Sequence, residues 1–287
     1  MPKVRVGNIN LYYEEAGNGI PLVFVHEFAG DWRSWEAQMR FFSGRYRAIT
    51  FSARGYLPSD VPESPDDYSQ DLQVEDLKRL MDALKIEKAH LCGLSMGSYT
   101  SLLSGLKYPE RCRSLTIAGS GYGSGANREE FHRQIAQVAD QMLKGGMKAV
   151  SGTYTLGPAR VQLQNKNPRA WEELRRQFEE HSAKGSAYTF LGVQRKRPSI
   201  TDLGDPLKKM TLPVLVMLGD EDERGLEGSL FMKRNIPRAG LEIFPRSGHT
   251  LNLEEPEHFN RSLLDFITAV DAARWEARDP RSLATVI

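Results

Sequence analysis

Ala89-His90-Leu91-Cys92-Gly93-Leu94-Ser95-Met96-Gly97-Ser98 reads as a buried strand that breaks at a serine and resumes as a helix near Met96. A serine with glycine two positions away on each side, at a strand-to-helix junction, is the Gly-x-Ser-x-Gly nucleophile elbow. Its turn is tight enough to strain the serine backbone, so neighbouring positions must lack side chains. The arrangement exposes Oγ at a helix N-terminus, where backbone N–H groups favour a developing negative charge. An elbow needs a histidine, an acid and an oxyanion hole from elsewhere in the chain.

On both sides of the elbow the sequence alternates strand and helix. Residues 3–16 form a hairpin pattern about Gly7-Asn8, and Pro21–His26 and Tyr46–Phe51 are apolar runs suited to strands buried on both faces. A helical segment with Trp35, Met39 and Phe42 lies between them. Leu72, Leu77, Leu80, Met81 and Leu84 recur at helical spacing, with Ser69 or Asp71 as cap. Helix 96–108 stops before Pro109, and Ser114–Ala118 is the next strand. The pattern predicts an α/β fold with a mostly parallel, doubly wound sheet.

From about 122 to 205 there is no convincing buried strand. Helical stretches at roughly 127–144, 146–155, 168–184 and 186–195 are separated by Gly145-Gly146, Gly157-Pro158, Asn167-Pro168 and Gly185. This predicts a helical cap (lid), 122–205, inserted after the sixth strand into a core made of 1–121 and 206–287. The sheet resumes at Pro213–Leu218 and Leu241–Phe244, a last helix runs from Pro256 to about Arg274, and the tail after Asp279 has no clear structure.

The two late strands run into the expected partners. Strand 213–218 leads to Gly219-Asp220-Glu221-Asp222, and strand 241–244 to Pro245-Arg246-Ser247-Gly248-His249. The order serine, acid, histidine is the one such an elbow requires, and His249 is the general base. His132, His181 and His258 lie in polar helices and read as solvated or capping residues. For the acid that orients His249, the sequence favours Asp222, with Asp220 as its rival.

From residue 20 to about 270 the chain resembles the α/β-hydrolase superfamily, in its lid-bearing serine esterase branch. The resemblance rests on Gly93-Leu94-Ser95-Met96-Gly97, the Gly219-x-x-Asp222 loop, Ser247-Gly248-His249 and the Arg54-Gly55 to Ser59 segment. It implies that the acid is the aspartate three residues after the glycine, Asp222. It also implies an oxyanion hole of two backbone N–H groups, from Met96 and from Phe28 in the loop after the third strand. That loop normally begins His-Gly but reads His26-Glu27-Phe28-Ala29-Gly30 here. A carboxylate beside a forming oxyanion repels it. Either Glu27 turns away to pair with a cation such as Arg54 or Arg33, the preferred reading, or it enters the site with a raised pKa and handles a proton or water.

The pattern implies a cofactor-independent serine hydrolase of a small apolar or aryl carboxylic ester, working through an acyl-enzyme on Ser95. C–C bond, lactone, thioester and amide hydrolysis use the same triad, and a noncatalytic small-molecule receptor on this fold is the alternative of another class. Trp32, Tyr122, Met147, Tyr154, Leu156, Phe190 and Leu191 are candidate pocket walls. Arg160, Arg195, Lys196 and Arg197 read as surface charge in preference to a carboxylate site. The chain has 287 residues with 38 Lys and Arg against 37 Asp and Glu, a balance that offers nothing to nucleic acid. No apolar leader or spanning run is present, so a cytoplasmic location without membrane insertion is expected. Two cysteines, Cys92 and Cys112, and six unclustered histidines suggest neither disulfide nor metal. A small-molecule substrate is the expected partner, and a homodimer is left open.

Overall fold

A computed structural model describes residues 2–125 and 128–283. The expected helix start at position 127 lies outside them, as do Met1 and residues 284–287.

Alternating and apolar runs become the strands they predict. Strands β1 (Lys3–Val6) and β2 (Ile9–Ala16) form the hairpin, followed by β3 (Pro21–Val25), helix α1 (Glu36–Phe42) and β4 (Arg47–Phe51). Helix α2 (Gln70–Ala83) is capped by the Ser69 side chain, which accepts from the Leu72 N–H. Strand β5 (Ala89–Leu94), helix α3 (Met96–Lys107) and β6 (Cys112–Ala118) complete the first half.

Between β6 and the next strand the sheet is interrupted by a helical insertion. The helices there are α4 (Arg128–Gly145), α5 (Lys148–Tyr154), α6 (Val161–Lys166), α7 (Pro168–Glu179), α8 (Ala183–Tyr188) with a π-helical turn over Thr189–Gln194, and α9 (Gly204–Lys208). Between α5 and α7, where the sequence suggested only a break, Pro158–Arg160 form a 3₁₀ turn leading into α6. Pro158 stands in the first turn, where its missing N–H costs no hydrogen bond. The core resumes with β7 (Val214–Gly219), α10 (Glu223–Asn235), β8 (Ala239–Phe244), α11 (Leu251–Glu254) and α12 (Pro256–Asp271). Helix α12 stops short of Arg274 because Ala273 takes a left-handed conformation, φ 53°. In place of a patternless tail, Pro280–Leu283 form a further 3₁₀ turn.

The eight strands order as β1-β2-β4-β3-β5-β6-β7-β8, antiparallel at β1/β2 and β2/β4 and parallel elsewhere. Strand β5 is buried along its whole length between β3 and β6, so its carboxyl end, with Ser95, sits near the middle of the sheet edge. One face packs Leu77, Leu80 and Leu102 from α2 and α3, and the other packs Trp35, Phe42, Phe259 and Phe266 from α1, α12 and the turn before α1. No helix among the described residues is long and apolar enough to cross a membrane.

Candidate active site

Ser95 has φ 52° and ψ −110°, a conformation that non-glycine residues rarely adopt. The neighbouring glycines are sterically required. A Cβ on Gly93 would collide with the Gly97 carbonyl, and one on Gly97 with the carbonyl of Val25 in β3. The Ser95 N–H donates to the Ala118 carbonyl at 2.8 Å, tying the elbow to β6. Ser95 caps α3, so the Met96 N–H belongs to the first turn of that helix, which lacks carbonyl partners within it.

The loops after β7 and β8 bring Asp222 and His249 together. His249 Nδ1 lies 2.8 Å from Asp222 Oδ2, and both residues are buried. Asp220, the rival acid, is exposed and instead accepts from the Ser247 N–H at 3.2 Å. Asp222 has a second partner, because Tyr122 Oη donates to Oδ1 at 2.6 Å. The Tyr122 ring lies over the His249 imidazole, centroids 4.6 Å apart, and its carbonyl is held by Arg197 Nη2 at 2.8 Å. Burial pushes the Asp222 pKa up, but the facing His249 charge and the hydrogen bonds from His249 and Tyr122 outweigh it and bring it below the usual 3.8. Burial and the Asp222 charge hold the Tyr122 phenol well above its ordinary range, so it stays a donor.

In the loop after β3, Glu27 pairs with a cation that the sequence reading places at the surface. Neither expected cation reaches it: Arg54 binds Asp76, and Arg33 binds Asp31 and Glu180. Glu27 Oε2 instead accepts from Arg160 Nη2 at 2.5 Å, with both side chains buried. Arg160 reaches it from the 3₁₀ turn before α6, across 133 positions of sequence. His26 braces the loop. Its Nε2 accepts from the Ala53 N–H at 3.0 Å, which leaves Nδ1 as the donor to the Glu27 carbonyl at 2.6 Å. Burial lowers the His26 pKa to about 4, in keeping with that neutral tautomer. Among the described residues no acceptor pairs with the Phe28 N–H.

Ser95 and His249 line a cavity of about 280 Å³ between the strand ends and the insertion. Phe28, Tyr122, Tyr154 and Phe190 form part of its wall, with Phe28 stacked on Phe190 at 3.6 Å between centroids. Phe131, Gln134 and Ile135 of α4 and Arg224 also line it, which the sequence did not signal, as does Arg160, which the sequence reading placed at the surface in preference to a carboxylate site. Four expected wall residues are elsewhere. Trp32 packs edge-on against Tyr12 at 5.3 Å, Met147 and Leu191 join the packing of the insertion, and Leu156 is exposed. Two groups expected at the surface are buried: His181, 3.4 Å from Asp31, and Arg197, stacked 3.7 Å over the Tyr99 ring. No three His, Cys, Asp or Glu side chains converge as metal ligands among the described residues.

A family profile described as the alpha/beta hydrolase fold matches residues 20–256. The chain is 29% identical over 273 residues to a 2-hydroxy-6-oxo-6-phenylhexa-2,4-dienoate hydrolase of Burkholderia cepacia, covering 91% of this chain and 92% of that protein. It is 27% identical over 254 residues to 3-oxoadipate enol-lactonase 1 of Acinetobacter baylyi, covering 88% and 90%. Among solved structures, a thermophilic esterase from Thermogutta terrifontis, with malate bound, superimposes with a TM-score of 0.84 at 26% identity, covering 94% of this chain and 99% of that one. With sheet order, elbow and profile in agreement over most of its length, the chain belongs to the α/β hydrolase fold family.

Proposed function

We propose that the protein is a serine hydrolase of carboxylic esters, with Ser95 as nucleophile, His249 as general base and Asp222 as the acid that orients it. The observation that carries this reading is the convergence, on one cavity, of a strained helix-capping serine and a histidine bonded to a buried carboxylate. Ser95 Oγ forms a bond to the ester carbonyl carbon as its proton passes to His249 Nε2. The oxyanion so formed is held by the N–H groups of Phe28 and Met96. Collapse breaks the bond to the alcohol oxygen, which takes the proton from His249. Water, deprotonated by His249, then releases the acid and restores Ser95. The triad side chains, two backbone N–H groups and water carry every step.

In this reading residues 122–205 act as the cap over the cavity, and Glu27 is not a proton-transfer group. Its charge is neutralised by Arg160, which removes the repulsion that a free carboxylate would impose on the neighbouring oxyanion.

A second reading, hydrolysis of an enol lactone or of a carbon–carbon bond in a dienoate, draws support from the names of the two relatives. The two readings share the triad and differ in the electrophile, so substrate turnover separates them. Short p-nitrophenyl esters, an enol lactone and a 6-oxo-dienoate are to be assayed side by side. The ester reading expects the highest kcat/KM on the esters, with a loss of about 10⁴-fold or more in Ser95→Ala. Turnover confined to the dienoate would overturn it.

A further inference from the structure

Arg160 is only 1% exposed, yet its hydrogen bonding is incomplete. Nη2 donates to Glu27, while Nε and Nη1, both buried, meet no acceptor in good geometry among the described residues; the Tyr154 side chain is their polar neighbour. A guanidinium carries five N–H donors, and each one buried without a partner is destabilising. The residue lines the same cavity as Ser95. The charged side chains on that wall are Arg160 and Arg224, and no Asp or Glu is among the lining residues. Much of the remaining wall is aromatic and aliphatic, Phe28, Phe131 and Phe190 among it.

A plain alkyl or aryl ester would fill the apolar part and leave the Arg160 donors stranded. A substrate with an anionic oxygen group satisfies them, and Arg224 adds to the wall a positive charge beyond the one already paired with Glu27. Glu27 bonds one edge of the guanidinium and so fixes which donors remain free. The loop holding Glu27 also supplies Phe28, so the partner of the anion subsite and the expected oxyanion donor are neighbouring residues.

We propose that Arg160, held in place by Glu27, is a subsite for a substrate carboxylate, so that the substrates are small esters or lactones carrying a free carboxylate. This rests on the hydrolytic reading for the reaction but not for binding. The two are therefore tested separately, on the full chain.

Calorimetric titration with glutarate against its neutral counterpart glutaramide reads the subsite alone. Glutarate is expected to bind at least tenfold more tightly than glutaramide. The double substitution Glu27→Gln with Arg160→Gln removes both charges at nearly constant volume and leaves no lone buried ion. It is expected to abolish that preference, and to lower the ratio of kcat/KM for monomethyl adipate over dimethyl adipate by tenfold or more.

Equal binding of glutarate and glutaramide to the native protein overturns the subsite, as does a double variant that keeps the preference. If the double variant does not fold, the comparison in the native protein decides alone. Preferential glutarate binding without turnover of any ester would keep the subsite and discard the ester reading.

Discussion

Two buried guanidinium–carboxylate pairs divide the labour of this molecule. Arg54 meets Asp76 as a fork, Nε to Oδ2 at 2.8 Å and Nη2 to Oδ1 at 2.9 Å, and so pins the loop after β4 to α2. The space beside it is about 10 Å³, room for no more than about one water. Arg160 meets Glu27 through one nitrogen, and the space beside it is about 280 Å³. Both guanidiniums keep buried nitrogen without an acceptor, Nη1 of Arg54 and Nε and Nη1 of Arg160, so leftover donors do not separate them. The pair held by two bonds in closed packing is a strut, and the pair held by one bond beside a cavity is where we place the proposed subsite.

The largest expected effect tests the strut. Arg54→Met strands the Asp76 carboxylate and should cost about 3–5 kcal/mol in urea unfolding, largely recovered when Asp76→Leu is added. Arg160→Met, with one bond to lose, should cost less, and Glu27→Leu should again restore stability. Equal losses in the two cycles would erase the distinction and make Arg160 a strut as well.

A smaller effect is expected at Tyr122, whose hydroxyl bonds the acid rather than the reacting atoms. Tyr122→Phe should lower kcat/KM about tenfold, equivalent to about 1.4 kcal/mol. The Asp222 pKa lies below its ordinary 3.8, so the stability it contributes is complete above that value and is lost as pH falls through the lower folded pKa. Removing the Tyr122 hydroxyl takes away one cause of the lowering, so acid unfolding should begin at higher pH in the variant. A residue serving only as cavity wall would leave that acid edge unmoved.

The smallest effects belong to residues placed at the wall by sequence alone. Leu156→Ser should change stability by no more than about 0.5 kcal/mol, and its kcat/KM should stay close to that of the native protein.

What was legible in the sequence was local. The elbow, the strand runs and the loops after β7 and β8 are written in contiguous residues, because a parallel strand buried on both faces has an apolar signature and its carboxyl end locates the next loop. The insertion was legible as helices but not as a cavity. Periodicity gives the phase of each helix and leaves open which neighbour it meets. Thus Phe190 faces the cavity while Leu191, its neighbour in sequence, does not. Arg160 and Arg197 were the hardest to place, since composition assigns charged residues to the surface, and only contacts 133 and 75 positions away bring these two inside. Tyr122 reads as one more aromatic until the Asp222 carboxylate, 100 residues on, is set against its hydroxyl.

The role of Ser95 is open to one direct measurement, intact-protein mass spectrometry after reaction with a fluorophosphonate. A single phosphonyl adduct that maps to Ser95, is absent in Ser95→Ala and forms far more slowly in His249→Ala is the expected result. A folded protein that stays unlabelled, or is labelled equally in Ser95→Ala, would contradict the assignment of Ser95 as an activated nucleophile.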